Sequence, residues 1–178
     1  GITLTPAVVR PLADHPNIVG IKETSPDLER LGIFAGIRPD RFAVLVGWAP
    51  VLYPALAAGA SGAILAVANV VPDVCVRVFD LVAAGRHEDA RALARRLTPL
   101  AQMVTTGYGV AGLKMALDLS GMRGGAVRPP LLPPPAGARR WHDAQFLRRF
   151  SFCRLSVAAG TRARAELARG PRPARPLS

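Results

Sequence analysis

The sequence predicts an α/β fold built on a parallel sheet, and three observations carry that prediction. Three short apolar runs, residues 17–23 ("NIVGIKE"), 41–47 ("RFAVLVG") and 62–69 ("GAILAVAN"), start about 20 to 25 residues apart. That interval holds one strand, one helix and two short loops, so consecutive strands run the same way. The runs are continuous rather than alternating. This is the pattern of strands covered on both faces, as in a doubly wound sheet or a barrel. Helix-start signals stand in the gaps between them.

The elements follow in order. "LTPAVVRPLADH" opens a short helix to about His15, with Thr5 as cap, Pro6 at the first position and Pro11 limiting its regularity. The first strand is 17–23. "SPDLERLGIFAGIR" repeats the helix-start pattern, with Ser25 as cap, Pro26 at the first position and the acids Asp27 and Glu29 in the first turn. Leu28, Leu31, Ile33 and Phe34 form its apolar stripe. The second strand is 41–47, and "APVLYPALAAG" is a helix stopped by Gly59. The third strand is 62–69. "VPDVCVRVFDLVAAG" is a helix with Pro72 in its first turn and Gly85 at its end. "RHEDARALARRLTPLAQMVTTG" is a long helix interrupted near Pro99, and "GVAGLKMALDLSG" is another, ending on Gly121.

The chain of 178 residues has room for one domain, and with half of its residues hydrophobic it is not globally disordered. The net charge of +11 belongs to the end of the chain. Residues 1–135 hold thirteen basic and ten acidic residues, whereas residues 136–178 hold ten arginines against Asp143 and Glu166. Five prolines within 129–135 rule out regular helix or central strand there. The boundary falls near 136. Residues 1–135 form the folded domain, and 136–178 is an Arg/Pro/Ala-rich tail expected to be largely disordered, "WHDAQFLRRFSF" being its one candidate amphipathic helix.

Several function classes drop out. Cys75 and Cys153 lie far apart without CxxC or Cys/His spacing, which argues against a zinc site or a disulfide framework and for two free thiols. No apolar run is long enough for a transmembrane helix, and the start lacks the pattern of a signal peptide, so a cytoplasmic location is expected. The chain also lacks an initiator Met and reads as a processed product or a fragment. No GxGxxG or GxxxxGK[ST] follows a strand, leaving no dinucleotide or P-loop site. The basic tail carries no motif or aromatic interleaving that would specify nucleic acid, so neither nucleic acid nor membrane is an expected partner. His15, His87 and His142 are scattered in polar contexts and read as surface residues. "RHEDARALARR" reads as a solvated helix face with Glu88 pairing to Arg91.

One residue stands out. Lys22 and Lys114 are the only lysines among 23 basic residues, and Lys22 ends the first apolar run. In parallel α/β folds functional side chains project from the C-terminal ends of strands. A free lysine is almost wholly charged at neutral pH, but desolvation penalises the ammonium and frees the amine to form a Schiff base with a carbonyl substrate. A strand-end lysine that reaches to water or pairs with Glu23 fits the same pattern. Both roles remain open on the pattern alone. Lys114 reads as structural.

"NIVGIKETSPDLERL", "VLVGWAPVLYPALAAGASGAILAVANVVPD" and "YGVAGLKMALDLSGMRGGAVRPPLLP", in this order and spacing, resemble the dihydrodipicolinate synthase / N-acetylneuraminate lyase family of pyruvate-dependent class I aldolases. The resemblance runs from about residue 1 to 133. It implies the C-terminal part of a (β/α)8 TIM barrel, the last three βα units plus C-terminal helices, and so an incomplete barrel. By position, Lys22 resembles the imine-forming lysine, Gly47 the small residue beside the bound keto acid, and Ile64 the residue whose main-chain carbonyl faces the site. The implied activity is a carbon–carbon lyase without metal or dissociable cofactor. Its partners would be a 2-oxo acid of the pyruvate type and an aldehyde, with homo-oligomers expected of full-length relatives. "YGVAGLKMALDLSGMRGG" leans toward 4-hydroxy-2-oxoglutarate aldolase-like members. 4-Hydroxy-tetrahydrodipicolinate synthase, and a non-catalytic fragment that acts through binding, stand as alternatives. The family's carboxylate-gripping threonine pair, its proton-relaying tyrosine and the synthases' substrate arginine belong to the other half of the barrel, so little turnover is expected of this chain alone. Trp48, where many relatives have a small or polar residue, either narrows the pocket or packs.

Overall fold

The computed structural model describes residues 3–135, 137 and 138. In chain order these form α1 (Pro6–Ala13), β1 (Gly20–Glu23), α2 (Leu28–Ala35), β2 (Ala43–Val46), a 3-10 turn (Ala49–Val51) running into α3 (Leu52–Ala57), and β3 (Gly62–Ala63). A second 3-10 turn (Ala66–Asn69), α4 (Pro72–Ala83), α5 (His87–Gln102), a π-helical turn (Met103–Gly107) and α6 (Gly109–Leu119) follow. The strands make one parallel sheet in the order β1-β2-β3. Lys22 lies beside Leu45, Glu23 beside Val46, and Val46 beside Ala63. The α/β architecture and the parallel pairing agree with the spacing of the apolar runs.

Residues in register share a face of a parallel sheet, and the faces alternate along each strand. Val44 and Val46 turn one face into the core, among Leu31 and Phe34 of α2 and Leu52, Ala55 and Leu56 of the α3 region. The other face carries Lys22 and Leu45, with Thr24, Gly47 and Ile64 just beyond the strand ends in the same phase. Lys22, Thr24 and Ile64 are exposed there. The helices thus cover one side of the sheet and leave the face bearing the lysine open among the described residues.

Four local expectations are corrected. The cap of α2 is Asp27, whose Oδ1 accepts from Arg30 N at 2.9 Å. Ser25 is engaged elsewhere: its hydroxyl accepts from Asp27 N and from Arg30 Nη2. The first strand is also shorter than predicted, with only Gly20–Glu23 in the ladder.

The third apolar run is a strand only at Gly62–Ala63. Val46 ends β2, and its carbonyl accepts the last bond, from Ile64 N at 2.9 Å. Beyond that point a straight strand would have no ladder partner on β2. The chain turns instead into the 3-10 segment and buries Leu65 and Val67.

Pro99 does not interrupt α5, which runs on to Gln102. A proline inside a helix costs about 3 kcal/mol. Full burial of Leu97, Leu100 and Ala101 on either side of it offsets that cost. The break comes at the π turn, where Tyr108 N reaches back five residues to Met103 O at 3.0 Å. Gly85 and Gly121, with φ of +70° and +77°, end α4 and α6 in the left-handed region, as their positions predicted.

Ala138 is buried, and its N–H bonds to Pro135 O at 2.8 Å. Most of the tail, with "WHDAQFLRRFSF" and Cys153, lies outside the described residues.

Candidate functional site

The site is built at the C-terminal ends of β1 and β2. The closing bond between the two strands runs from Gly47 N to Glu23 O, at 2.7 Å. It draws the Gly47 Cα against the neighbouring open-face side chains. A Cβ added at Gly47 would lie 2.7 Å from Lys22 Cε and would also meet the Thr24 hydroxyl. Glycine is required here by close approach, not by backbone conformation. The structure therefore brings together two of the three residues singled out by sequence. Ile64, the third, stands one position past β3 on the same face, half exposed.

Thr24 was not singled out by sequence reasoning. Its signal was the two-residue period from Lys22, which puts it on the open face beside the amine. Trp48 follows Gly47 in extended conformation and is half-buried against the core, so it packs behind the strand end.

The pairing of Lys22 with Glu23 does not occur. Adjacent residues of a strand point to opposite faces, and Glu23 is turned into the helix side, where it is buried. Its Oε1 accepts from Ser25 N at 2.7 Å and from Arg30 Nη2 at 3.0 Å. Arg30 Nη2 also donates to the Ser25 hydroxyl at 2.7 Å. Burial by itself raises the carboxyl pKa. The bonds from Ser25 and Arg30, with the guanidinium charge, outweigh burial and hold Glu23 below the ordinary range. Lys22 makes no ion pair among the described residues.

Other candidates resolve as structural. Lys114 Nζ donates to Gly124 O at 2.7 Å, and Gly124 N donates to Asp118 Oδ1 at 2.8 Å, which folds the segment after α6 back onto that helix. Burial pushes the Cys75 thiol up to about 11, so it is a poor nucleophile at neutral pH. His15 Nδ1 accepts from Asn17 N, and the His87 ring meets Tyr53 edge-on. Arg91 lies 3.7 Å from Glu88 on the exposed face of α5. Among the described residues no cluster of three or more His, Cys, Asp or Glu side chains is placed to hold a metal ion, and no helix is long and apolar enough to cross a membrane.

The sequence pattern of the dihydrodipicolinate synthetase family matches residues 1–141, most of the chain. The chain belongs to the dihydrodipicolinate synthetase family. Members of known sequence resemble it closely enough to align through most of the matched region. It is 36% identical over 132 residues to the 4-hydroxy-tetrahydrodipicolinate synthase of Archaeoglobus fulgidus, covering 74% of this chain and 46% of that protein. With the enzyme of the same name from Methanoculleus marisnigri it shares 38% over 132 residues, 74% of this chain and 45% of the other.

Among solved structures it resembles YagE, an E. coli prophage protein of the dihydrodipicolinic acid synthase family in complex with pyruvate. The TM-score is 0.72 at 30% identity, over 84% of this chain and 52% of that one. A family protein from Thermus thermophilus gives a TM-score of 0.75 at 36% identity over the same shares. The chain thus spans about half the length of the dihydrodipicolinate synthetase relatives it matches.

Proposed function

We propose that this chain carries the Schiff-base lysine of a pyruvate-type aldolase or lyase, and that Lys22 is that residue. The observation that carries the reading is the pairing of Lys22 with Gly47: an exposed amine at a strand end, its stem laid against a residue that has no side chain. Glu23, the nearest carboxylate in sequence, is turned away and neutralised by Arg30. The amine is therefore not tied up in a salt bridge among the described residues.

The chemistry is that of imine catalysis. The neutral amine adds to the keto carbon of a 2-oxo acid, and loss of water leaves a protonated imine. That imine is an electron sink. Loss of a proton from the adjacent methyl gives an enamine, which adds to an aldehyde carbonyl to form the new carbon–carbon bond. In reverse, a 4-hydroxy-2-oxo acid is cleaved. Water then hydrolyses the imine and restores the amine. By the family resemblance, Gly47 is the small residue beside the keto acid and Ile64 the residue whose main-chain carbonyl faces it. On this reading the chain supplies the last three βα units and the C-terminal helices of a barrel. The residues that grip the keto acid's carboxylate and relay protons belong to the rest of it. This chain alone forms the imine slowly and turns over little.

Two second substrates are in play. The motif around Tyr108–Gly125 favours a 4-hydroxy-2-oxoglutarate type of reaction. The names of the sequence relatives favour the 4-hydroxy-tetrahydrodipicolinate synthase reaction. Pyruvate and borohydride, followed by peptide mass spectrometry, test the shared step. A reduced pyruvate adduct on Lys22, absent from Lys22→Ala, is expected. An adduct distributed without preference between Lys22 and Lys114 would end the proposal. Supplying glyoxylate or aspartate semialdehyde to the chain reunited with the rest of a barrel then separates the two reactions.

A further inference from the structure

Glu23 is the only buried charged residue among the described residues. Burying a carboxylate costs several kcal/mol unless it is paired, and an apolar pair of similar volume usually packs as well or better. Stability is therefore a poor reason for this pair, and its position suggests another.

Glu23 holds three parts of the site at once. Its side chain binds the β1–α2 turn through Ser25 N and the first turn of α2 through Arg30. Its main-chain carbonyl binds Gly47 N at the end of β2. Glu23 follows Lys22 directly, so fixing one fixes the direction of the other on the opposite face. Arg30 is held in turn. Its Nη2 bridges Glu23 and Ser25, and its own N–H is taken by Asp27.

We propose that the part-buried Glu23–Arg30 pair is the positioning device for Lys22: by locking the β1–α2 turn from behind the sheet, it holds the lysine stem over Gly47. The inference rests on Lys22 being the amine that takes the oxo acid. Arg30 meets Glu23 through one nitrogen, Nη2, which also bonds the Ser25 hydroxyl and so ties the carboxylate to the turn, whereas two apolar side chains can slide. The pair thus fixes an orientation that hydrophobic packing alone would leave loose. Arg30 also cancels the charge that a carboxylate next in sequence to the lysine would otherwise present.

The test uses the full 178-residue chain with pyruvate and borohydride, scored over hours as the ratio of reduced adduct on Lys22 to that on Lys114. Lys114, bonded to Gly124 O far along the chain, is the internal reference. The informative variant is the double substitution Glu23→Leu with Arg30→Leu, which keeps the site packed and uncharged. Its urea midpoint should equal or exceed that of the wild type, while the Lys22:Lys114 ratio falls by about tenfold or more. Glu23→Gln keeps the acceptor oxygen and should retain most of the ratio, which also serves if the double variant does not fold. A double variant that folds and keeps the wild-type ratio overturns the positioning role and leaves the imine reading standing. The positioning role also falls if the double variant does not fold and Glu23→Gln lowers the urea midpoint and the ratio together, as general loosening would. A wild-type chain with no preference for Lys22 overturns both.

Discussion

Gly47 and Lys22 are packed so that one cannot gain an atom without moving the other: a Cβ at Gly47 would sit 2.7 Å from Lys22 Cε. Carbon atoms do not approach that closely, and the same Cβ would also meet the Thr24 hydroxyl. Gly47→Ala is therefore expected to swing the lysine stem aside. Lys22 and Thr24 are exposed and can swing, so the cost in stability should be small, under about 1 kcal/mol, read as a slightly lower urea midpoint. The adduct at Lys22 should fall further than that loss of stability explains, because the amine leaves its place. An alanine variant with wild-type stability and trapping would show that the close approach is dispensable.

The Glu23–Arg30 pair predicts an asymmetry between single and double substitution. Arg30→Leu alone leaves a largely buried carboxylate without its counter-charge and should cost about 1–3 kcal/mol. Replacing both residues by leucine removes the uncompensated charge and should recover the whole of that loss. The comparison needs only urea unfolding of three proteins, and additive losses would contradict it.

The same carboxylate sets a pH dependence. Its folded-state pKa is depressed below the ordinary 4.5 by Ser25 and Arg30. A depressed carboxyl contributes stability that is fully present above the unfolded value and is lost as pH falls through the folded value. The stability advantage of the wild type over Glu23→Gln should thus be constant near neutrality and shrink on acidification below 4.5. Parallel unfolding curves for the two proteins from neutral pH to pH ~3 check this. A gap that widens in acid would reverse the sign.

Gly124→Ala tests the fold-back after α6. A Cβ there would strike the Lys114 main chain, 2.6 Å from its carbonyl carbon. The substitution should break both the Lys114 Nζ bond to Gly124 O and the Asp118 bond from Gly124 N. The expected loss is about 2 kcal/mol, from two hydrogen bonds at roughly 1 kcal/mol each. Lys22 trapping should be unaffected, since neither bond involves a residue of β1 or its end. Coupled loss of both would link the two regions.

How much of this was legible beforehand varies by element. The parallel sheet was, because strand spacing and unbroken apolar runs leave few other arrangements. Lys22 drew attention because it stands at the end of an apolar run, whereas Gly47 came only from the family resemblance. The end of the third strand was not legible. "GAILAVAN" is apolar throughout, and only the length of its partner β2 decides that pairing stops after Ala63. The cap of α2 was misread because Ser25 and Asp27 are both good caps, and the choice was made by Arg30, which draws the Ser25 hydroxyl away.

By itself the sequence determined the kind of fold, the order of its elements and the strand end at which the lysine stands. These follow from local periodicity and from turn residues, which neighbouring positions encode. Only the tertiary structure decided which side chains face each other: Lys22 over Gly47 on the open face, Glu23 behind it on Arg30. Those relationships join residues seven to twenty-five positions apart. Contact at such separations depends on strand register and on helix packing, which no local pattern specifies.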